Sequence, residues 1–503
     1  MTIASRHFKT LTRSLGLIMF IMAATQVHAA TTALPMPEVK QLSRADFEAA
    51  AGLPPDCCQD VPALVSQPFR TLDAGTRISL DTLFSAQAGS WLFESLVHNG
   101  LLRIASRYQP THPRALTLHK GNSSLAGLTR KLNNPSILKR IGPDESGRTV
   151  YSLHYPLIIG QNAELTIEDA VLLLDANAAA VIVNAGQLAI KQAEVRTLQP
   201  DLKGGSRFRP FILAWNGSHT RLEQAELRQL GYNAYLSGGL TVGHHASLRK
   251  RGPASLHVTD SVVDKLETSL SGDQADIYIN RSTFTDSARY GIDLSAGNLQ
   301  MEASKVERTK YNAGMRVREG GHIRIQNCAI SFTHRDALRI EGALGSLLVS
   351  NSIFASAGGD GIAFQGVTIM DSPLLLDSNT IHDSARSGLR AQMSGPLLIR
   401  NNTFSANQRY AVQAVFSELA DGEAVWLQDN LLANSGEASI STIGNANIGL
   451  SGNRFRSRSL VQPVVSGRLA TTQTQILKAS KTPDLAIQIR LTSNHQHSTT
   501  GSN

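Results

Sequence analysis

Hydrophobic and polar positions alternate along this chain in short runs, and the runs recur. One block has an apolar residue, two variable residues, a small or polar residue, one more residue and a second apolar residue. It occurs as Ile279-Asn280-Arg281-Ser282-Thr283-Phe284, Ile325-Gln326-Asn327-Cys328-Ala329-Ile330, Val349-Ser350-Asn351-Ser352-Ile353-Phe354, Ile399-Arg400-Asn401-Asn402-Thr403-Phe404 and Leu450-Ser451-Gly452-Asn453-Arg454-Phe455. The fourth position passes through Ala170, Ala193, Ala225, Ser261, Ser282, Ser304, Cys328, Ser352, Asn379, Asn402, Asn430 and Asn453, at spacings of 21 to 28 residues from Ser261 onwards. Twelve copies at such a period mean stacked coils rather than separate domains. Each copy carries two or three short runs rich in Ile, Val, Leu and Thr that alternate with polar residues, and none has room for a three-turn helix. The pattern predicts an all-β parallel β-helix of about 12 coils. The recurrent Ser and Asn mark a turn, where they tolerate unusual backbone angles, bond local backbone and stack as a ladder.

A second run of each coil aligns as well. It opens on Gly291, Gly314, Ala337, Gly361, Gly388 or Ala411. Strand side chains alternate between faces. Ile292, Met315, Leu338, Ile362, Leu389 and Val412 therefore point inward, as do Leu294, Val317, Ile340, Phe364, Ala391 and Ala414 two residues on. Two outward columns remain. One is Asp293, Arg316, Arg339, Ala363, Arg390, Gln413. The other is Ser295, Arg318, Glu341, Gln365, Gln392. Coils about 4.8 Å apart crowd Arg316, Arg318 and Arg339 together. Like charges that close are unfavourable without an anion between them, and the guanidinium suits two-point contact with carboxylates. This face is read as a polyanion groove, with a solvated face in which Glu319 and Glu341 neutralise the arginines as the alternative.

The rest of the chain brackets the solenoid. Residues 30–155 are expected to form a cap over its N-terminal end, 156–460 the solenoid, 461–489 a C-terminal cap and 490–503 a disordered tail. A short helix is expected from Ser43, as N-cap, to Ala51, and a capping helix within Arg468 to Lys481. Residues 203–209 and 243–253 read as basic loops.

Composition narrows the function classes. The 503 residues are 42% hydrophobic and 17% charged, so a folded chain with a sizeable core is expected. The formal charge of +8 points to polyanions. Arg6, Lys9 and Arg13, the apolar stretch from Leu15 to Ala24, and Val27-His28-Ala29 read as a secretory signal peptide over 1–29. Its apolar run is about half the ~20 residues a membrane span needs. An exported, soluble chain without membrane insertion makes nucleic acid a poor partner and acidic polysaccharide a good one. Three cysteines, Cys57, Cys58 and Cys328, give neither a disulfide framework nor metal-ligand spacing. No metal and no cofactor are expected, and Cys328 reads as core.

At these residues the chain resembles the periplasmic mannuronan C5-epimerases of alginate export, from about Ala115 to about Phe455. The likeness rests on Arg209-Pro210-Phe211-Ile212-Leu213-Ala214-Trp215-Asn216-Gly217, Leu230-Gly231-Tyr232, Leu248-Arg249-Lys250-Arg251-Gly252-Pro253, Tyr290-Gly291-Ile292-Asp293, Asp360-Gly361-Ile362 and Gly388-Leu389-Arg390. The resemblance implies a right-handed β-helix, a periplasmic location, a polyuronate substrate and contact with an envelope exopolysaccharide export complex. The family's motif reads Tyr-Gly-(Ile or Phe)-Asp-Pro-His, then an acid. Here Tyr290 to Asp293 match, but Leu294, Ser295 and Ala296 stand where the Pro, His and acid are expected.

C5 epimerisation needs a base, an acid on the opposite side and a cation on the carboxylate. The resemblance gives Tyr290 the acid role and Arg318 the neutralising role, with Asp293 orienting and Ser295 at the position of the missing base. Arg316, Arg339, Arg390 and Glu341 are candidate substrate contacts. His322 and His334 are candidate groove residues that would relocate the base. Three readings stay open: an epimerase, an epimerase-like scaffold that only holds polyuronate, and a lyase with a relocated base.

Overall fold

The computed structural model describes residues 36–51, 75–83, 113–199, 208–232, 237–243, 251–369, 374–416 and 424–491, together with 69, 70, 72 and 109. The proposed signal peptide, Cys57, Cys58, the tail beyond 491 and most of the two basic loops lie outside these residues.

Within one coil the chain makes three runs, illustrated by residues 292–295, residues 297–302 and the strand Lys305–Thr309. The first two belong to one bent strand. Ala296 and Gly297 sit at φ 59° and 92° and turn it from the first face to the second. Stacking these runs in parallel gives a 24-stranded sheet that supplies two faces and a 14-stranded sheet that supplies the third. The result is a parallel β-helix with one hydrophobic core along its axis.

The expected columns are in register. Ile292 pairs with Met315, Met315 with Leu338, Leu338 with Ile362, Ile362 with Leu389 and Leu389 with Val412. All six are fully buried, and burying such side chains contributes about 1.5–3 kcal/mol each. The outward columns follow the same register, so Asp293 neighbours Arg316 and Arg316 neighbours Arg339.

The turn ladder follows from hydrogen-bond supply. Backbone amides at the turn between the second and third faces point along the axis and need acceptors. The next coil provides them. Ser282 N–H donates to Ser304 Oγ (3.0 Å), Ser352 N–H to Asn379 Oδ1 (3.0 Å) and Asn402 N–H to Asn430 Oδ1 (2.9 Å). The unusual backbone angle is not at the ladder residue but one position earlier, at Arg281, Ala303, Asn327, Asn351, Ser378, Asn401 and Asp429, all at φ between 46° and 56°. Cys328 is a buried rung of this ladder, and burial pushes its thiol up to about 11.

The ends differ from the expected division at three points. The strand Arg114–Ser124 already runs parallel to Leu157–Glu168, so the solenoid begins before residue 156. Arg77–Thr82 closes that end as an antiparallel strand, and the helix Leu125–Leu132 presses Leu125 and Leu128 into the core. Residues 38–50, however, do not cover the N-terminal end. The strand Glu38–Ser43 pairs antiparallel with Leu485–Leu491, which itself pairs antiparallel with Ala446–Ser451 at the last coil. The helix Arg44–Ala50, capped by Ser43 Oγ accepting from Asp46 N–H (3.1 Å), then lies on the second face. There Phe47 packs with Leu348, Leu375, Leu398 and Trp426. The physical reason is the sequence of that face: its outward side chains turn from polar in the earlier coils to apolar in these, and need a cover. By Phe69 the chain has reached Arg221, whose guanidinium lies 4.3 Å from the Phe69 ring. Arg490 and Leu491, expected in a disordered tail, belong to the terminal strand. At the C-terminal end a short 3-10 turn, Arg468–Thr472, leads into the helix Gln473–Lys481.

Candidate active site

Four strands build the candidate site on the first face: Gly239–Val242, Thr268–Asn280, Ile292–Glu302 and Met315–Gln326. Their register produces two outward rows. One runs Thr241, Ser271, Asp293, Arg316, and the other Asp273, Ser295, Arg318. Gly291 opens the face against the third-face core. A Cβ there would stand 2.2 Å from Val306 Cγ1, so the turn that carries Tyr290 needs glycine next to it.

A cavity of about 520 Å³ lies over these rows. It gathers Tyr290, Asp293, Ser295, Arg316 and Arg318, five of the residues expected from sequence. It also gathers Glu267, Asp273 and Arg289, which the sequence did not mark, and Tyr232, marked there only as part of the Leu230-Gly231-Tyr232 segment. Asp273 could have been found, since it occupies the column of Ser295 one coil earlier. The alignment lost that coil because it opens on Ser269 rather than on Gly or Ala.

Arg316, Arg318 and Asp293 form one charged cluster within the cavity. Arg316 Nε and Nη2 donate to the two oxygens of Asp293 at 2.9 and 2.7 Å. The same guanidinium lies over the Tyr290 ring, 4.1 Å from its centroid. Burial opposes the charge on Arg316, but the hydrogen bond and attraction of Asp293 outweigh it and hold its pKa above the usual arginine value. Arg318 Nη2 reaches Asp293 Oδ2 at 3.6 Å and stays 43% exposed, against 19% for Arg316. Burial pushes the Glu267 carboxyl up, against the pull of Arg289 and Arg209. Arg316 and Arg318 thus need no bound anion to coexist, because Asp293 contacts both.

The other expected residues lie elsewhere. Arg339, Glu341 and Arg390 continue the first face on later coils. Arg339 is bound to Glu341 and Gln365 and lies 3.7 Å from Asp336. His322 is on the second face, where its N–H donates to Asn298 Oδ1 (2.9 Å) and its Nδ1 meets Ser346 Oγ (2.9 Å). His334 is exposed in the turn before Leu338. Neither histidine lines the cavity. The bend at Ala296–Gly297 and its equivalent at Glu319 carry residue 322 round the corner. Among the described residues no group of three or more His, Cys, Asp or Glu is placed to hold a metal ion.

Towards the earlier coils the same face is covered instead of open. Phe208, Phe211 and Tyr232 pack edge to face or tilted, with centroids 5.3 to 6.5 Å apart, over Leu213, Trp215, Val183 and Ile158. These residues include those of the Arg209–Gly217 and Leu230–Tyr232 segments singled out in the sequence, and Tyr232 forms the cavity's wall on that side.

The right-handed β-helix family model matches residues 255–368 and 303–459. Mannuronan C5-epimerases from Pseudomonas aeruginosa and Pseudomonas putida are 25% identical over 194 residues and 24% identical over 327 residues. These matches cover 36% and 61% of this chain, and 35% and 61% of the relatives, so the chain spans about a third to three fifths of their length. Over these stretches the chain is similar to mannuronan C5-epimerases. The crystal structure of the periplasmic alginate epimerase AlgG superposes with a TM-score of 0.63 at 17% identity, over 78% of this chain and 95% of that one. The chain therefore shares the right-handed parallel β-helix, and its cavity lies on the face that carries the Tyr290-Gly291-Ile292-Asp293 segment.

Proposed function

We propose that this chain is a polysaccharide-modifying enzyme that binds a polyuronate of the mannuronan type along its first face and exchanges the proton at C5, converting mannuronate to guluronate. The observation that supports it most is the joining of Tyr290, Asp293 and Arg318 around one cavity. In this reading Arg318, the more exposed guanidinium, receives the sugar carboxylate. Neutralising that carboxylate is what makes the adjacent C5–H acidic enough to exchange, since charge develops on its oxygens as the proton leaves. Asp293 fixes Arg316 and steers Arg318, and Arg316 in turn holds the Tyr290 ring. Tyr290 supplies the proton donor on its side of the sugar. Ser295 contributes a hydroxyl next to Arg318. Arg339, Glu341 and Arg390 extend the contact surface over the following coils. The polymer, the exported location with residues 1–29 as leader, and delivery to an envelope export complex belong to the same proposal. Among the described residues no helix is long and apolar enough to cross a membrane.

The test is proton NMR of polymannuronate after incubation with the purified chain lacking residues 1–29. New guluronate signals are the expected result. Unsaturated chain ends would make the protein a lyase, and unchanged polymer with intact binding would make it a scaffold.

A further inference from the structure

Exchange at C5 needs a proton acceptor on one side of the ring and a donor on the other. Tyr290 stands at the turn edge of the first face, just before Gly291. The acceptor belongs at the opposite edge, where the coil bends at Ala296 and Gly297. Three cavity residues occupy that edge in one column, in the order Asp273, Ser295, Arg318. Arg318 is a cation. The Ser295 hydroxyl is a poor base without an activating neighbour. Asp273 carries a carboxylate, an acceptor by nature.

We propose that Asp273 is the general base of this site, a proposal that rests on the C5-exchange reading. The spacing suits it. Asp273 and Arg318 are two coil steps apart, about 10 Å, and the residue between them is the small Ser295. A hexuronate whose carboxylate sits on Arg318 has its C5, the next carbon, above Ser295 and within reach of Asp273. A long side chain at 295 would fill that gap. The cavity's other carboxylates are placed for different work. Asp293 lies in the neighbouring column with both oxygens bound to Arg316 and one also near Arg318. Glu267 lies at the turn edge beside Arg289 and one residue from the row of Tyr290, on the donor side of the site.

The step balances without a co-reactant. The C5–H bond breaks and its proton passes to an oxygen of Asp273. The bonding pair enters the C5–C6 bond, and the carboxylate becomes an enediolate against Arg318. The Tyr290 hydroxyl then delivers a proton to the opposite face of C5, and the electron pair returns to make the new C–H bond. Water takes the proton from Asp273 and restores that of Tyr290.

The experiment compares the chain lacking residues 1–29 with its Asp273→Asn variant on polymannuronate in D₂O, following deuterium at C5, polymer affinity and melting. Exchange is expected to fall about 100-fold or more, with affinity within about threefold and melting unchanged. In the Asp273→Asn background, Ser295→His is expected to recover exchange at least tenfold by placing an imidazole in the same column. Should Asp273→Asn melt early, Asp273→Ser repeats the measurement with a hydroxyl this column already carries. Exchange within threefold of the parent would overturn Asp273 as base and leave the epimerase reading standing. Loss of exchange together with loss of affinity would make Asp273 a binding group and overturn the assignment. A parent chain that exchanges nothing while binding polymer would overturn both.

Discussion

Arg316 clamps Tyr290: its guanidinium lies 4.1 Å from the ring centroid while both oxygens of Asp293 hold it from the preceding coil. Asp293 is the hinge of this arrangement, because it also lies 3.6 Å from Arg318. Asp293→Asn removes the charge that keeps two neighbouring arginines together. Breaking such a partly buried pair costs about 2–4 kcal/mol, visible as a lower urea midpoint. C5 exchange is expected to fall about 100-fold as Tyr290 and Arg318 lose their positions.

Arg318 should behave differently. Its side chain is 43% exposed and its contact to Asp293 is long, so Arg318→Ala is expected to change stability by less than about 1 kcal/mol. Polymannuronate affinity should drop about tenfold at low salt, and the slope of affinity against salt should flatten because one charge contact is gone. Titration calorimetry at two salt concentrations checks both. Unchanged affinity would remove Arg318 from the groove.

The period of the chain made much of this legible. A repeat of 21 to 28 residues with apolar positions two apart specifies stacked strands, and the columns from Ile292 to Val412 follow from alternation alone. The bends were legible only in part. Ala296 and Glu319 occupy left-handed angles although neither is glycine, so a turn just beyond Arg318 could be expected but not that it carries His322 off the first face and away from the cavity. Asp273 was hidden by a serine at the start of its coil. The placement of Glu38–Ala50 at the far end was equally invisible, because an antiparallel edge pairing depends on which strand the last coil leaves open, not on local sequence.

That far-end pairing has a testable consequence. Phe47 is fully buried, 5.1 Å from Trp426 in an edge-to-face contact. Phe47→Ala is expected to cost about 3–5 kcal/mol locally. Amide exchange should then speed up over residues 424–451 and 485–491, while the strands from 157 to 197 keep their protection. Faster exchange at the early coils instead would contradict the placement.

The second face offers a pH signature separate from catalysis. Burial, helped by Arg221 and His219, pushes His257 down to about 4, with Asp276 pulling the other way and the Tyr278 ring 5.6 Å away. A histidine depressed in the fold stabilises it above its unfolded value of about 6.5. As pH falls from there towards 4 the unfolded chain binds a proton that the folded chain refuses, and stability drops. The loss from this group is about 1–3 kcal/mol after solvent screening. His257→Gln should flatten the urea midpoint between pH 6.5 and 4. An unchanged slope would mean the histidine does not drive it.

The most direct test of the central claim is deuterium uptake at C5 when polymannuronate is incubated in D₂O with the chain lacking residues 1–29. The site geometry calls for deuterium at C5 accompanied by guluronate signals, both lost in Tyr290→Phe. Polymer that binds but gains no deuterium would contradict the account.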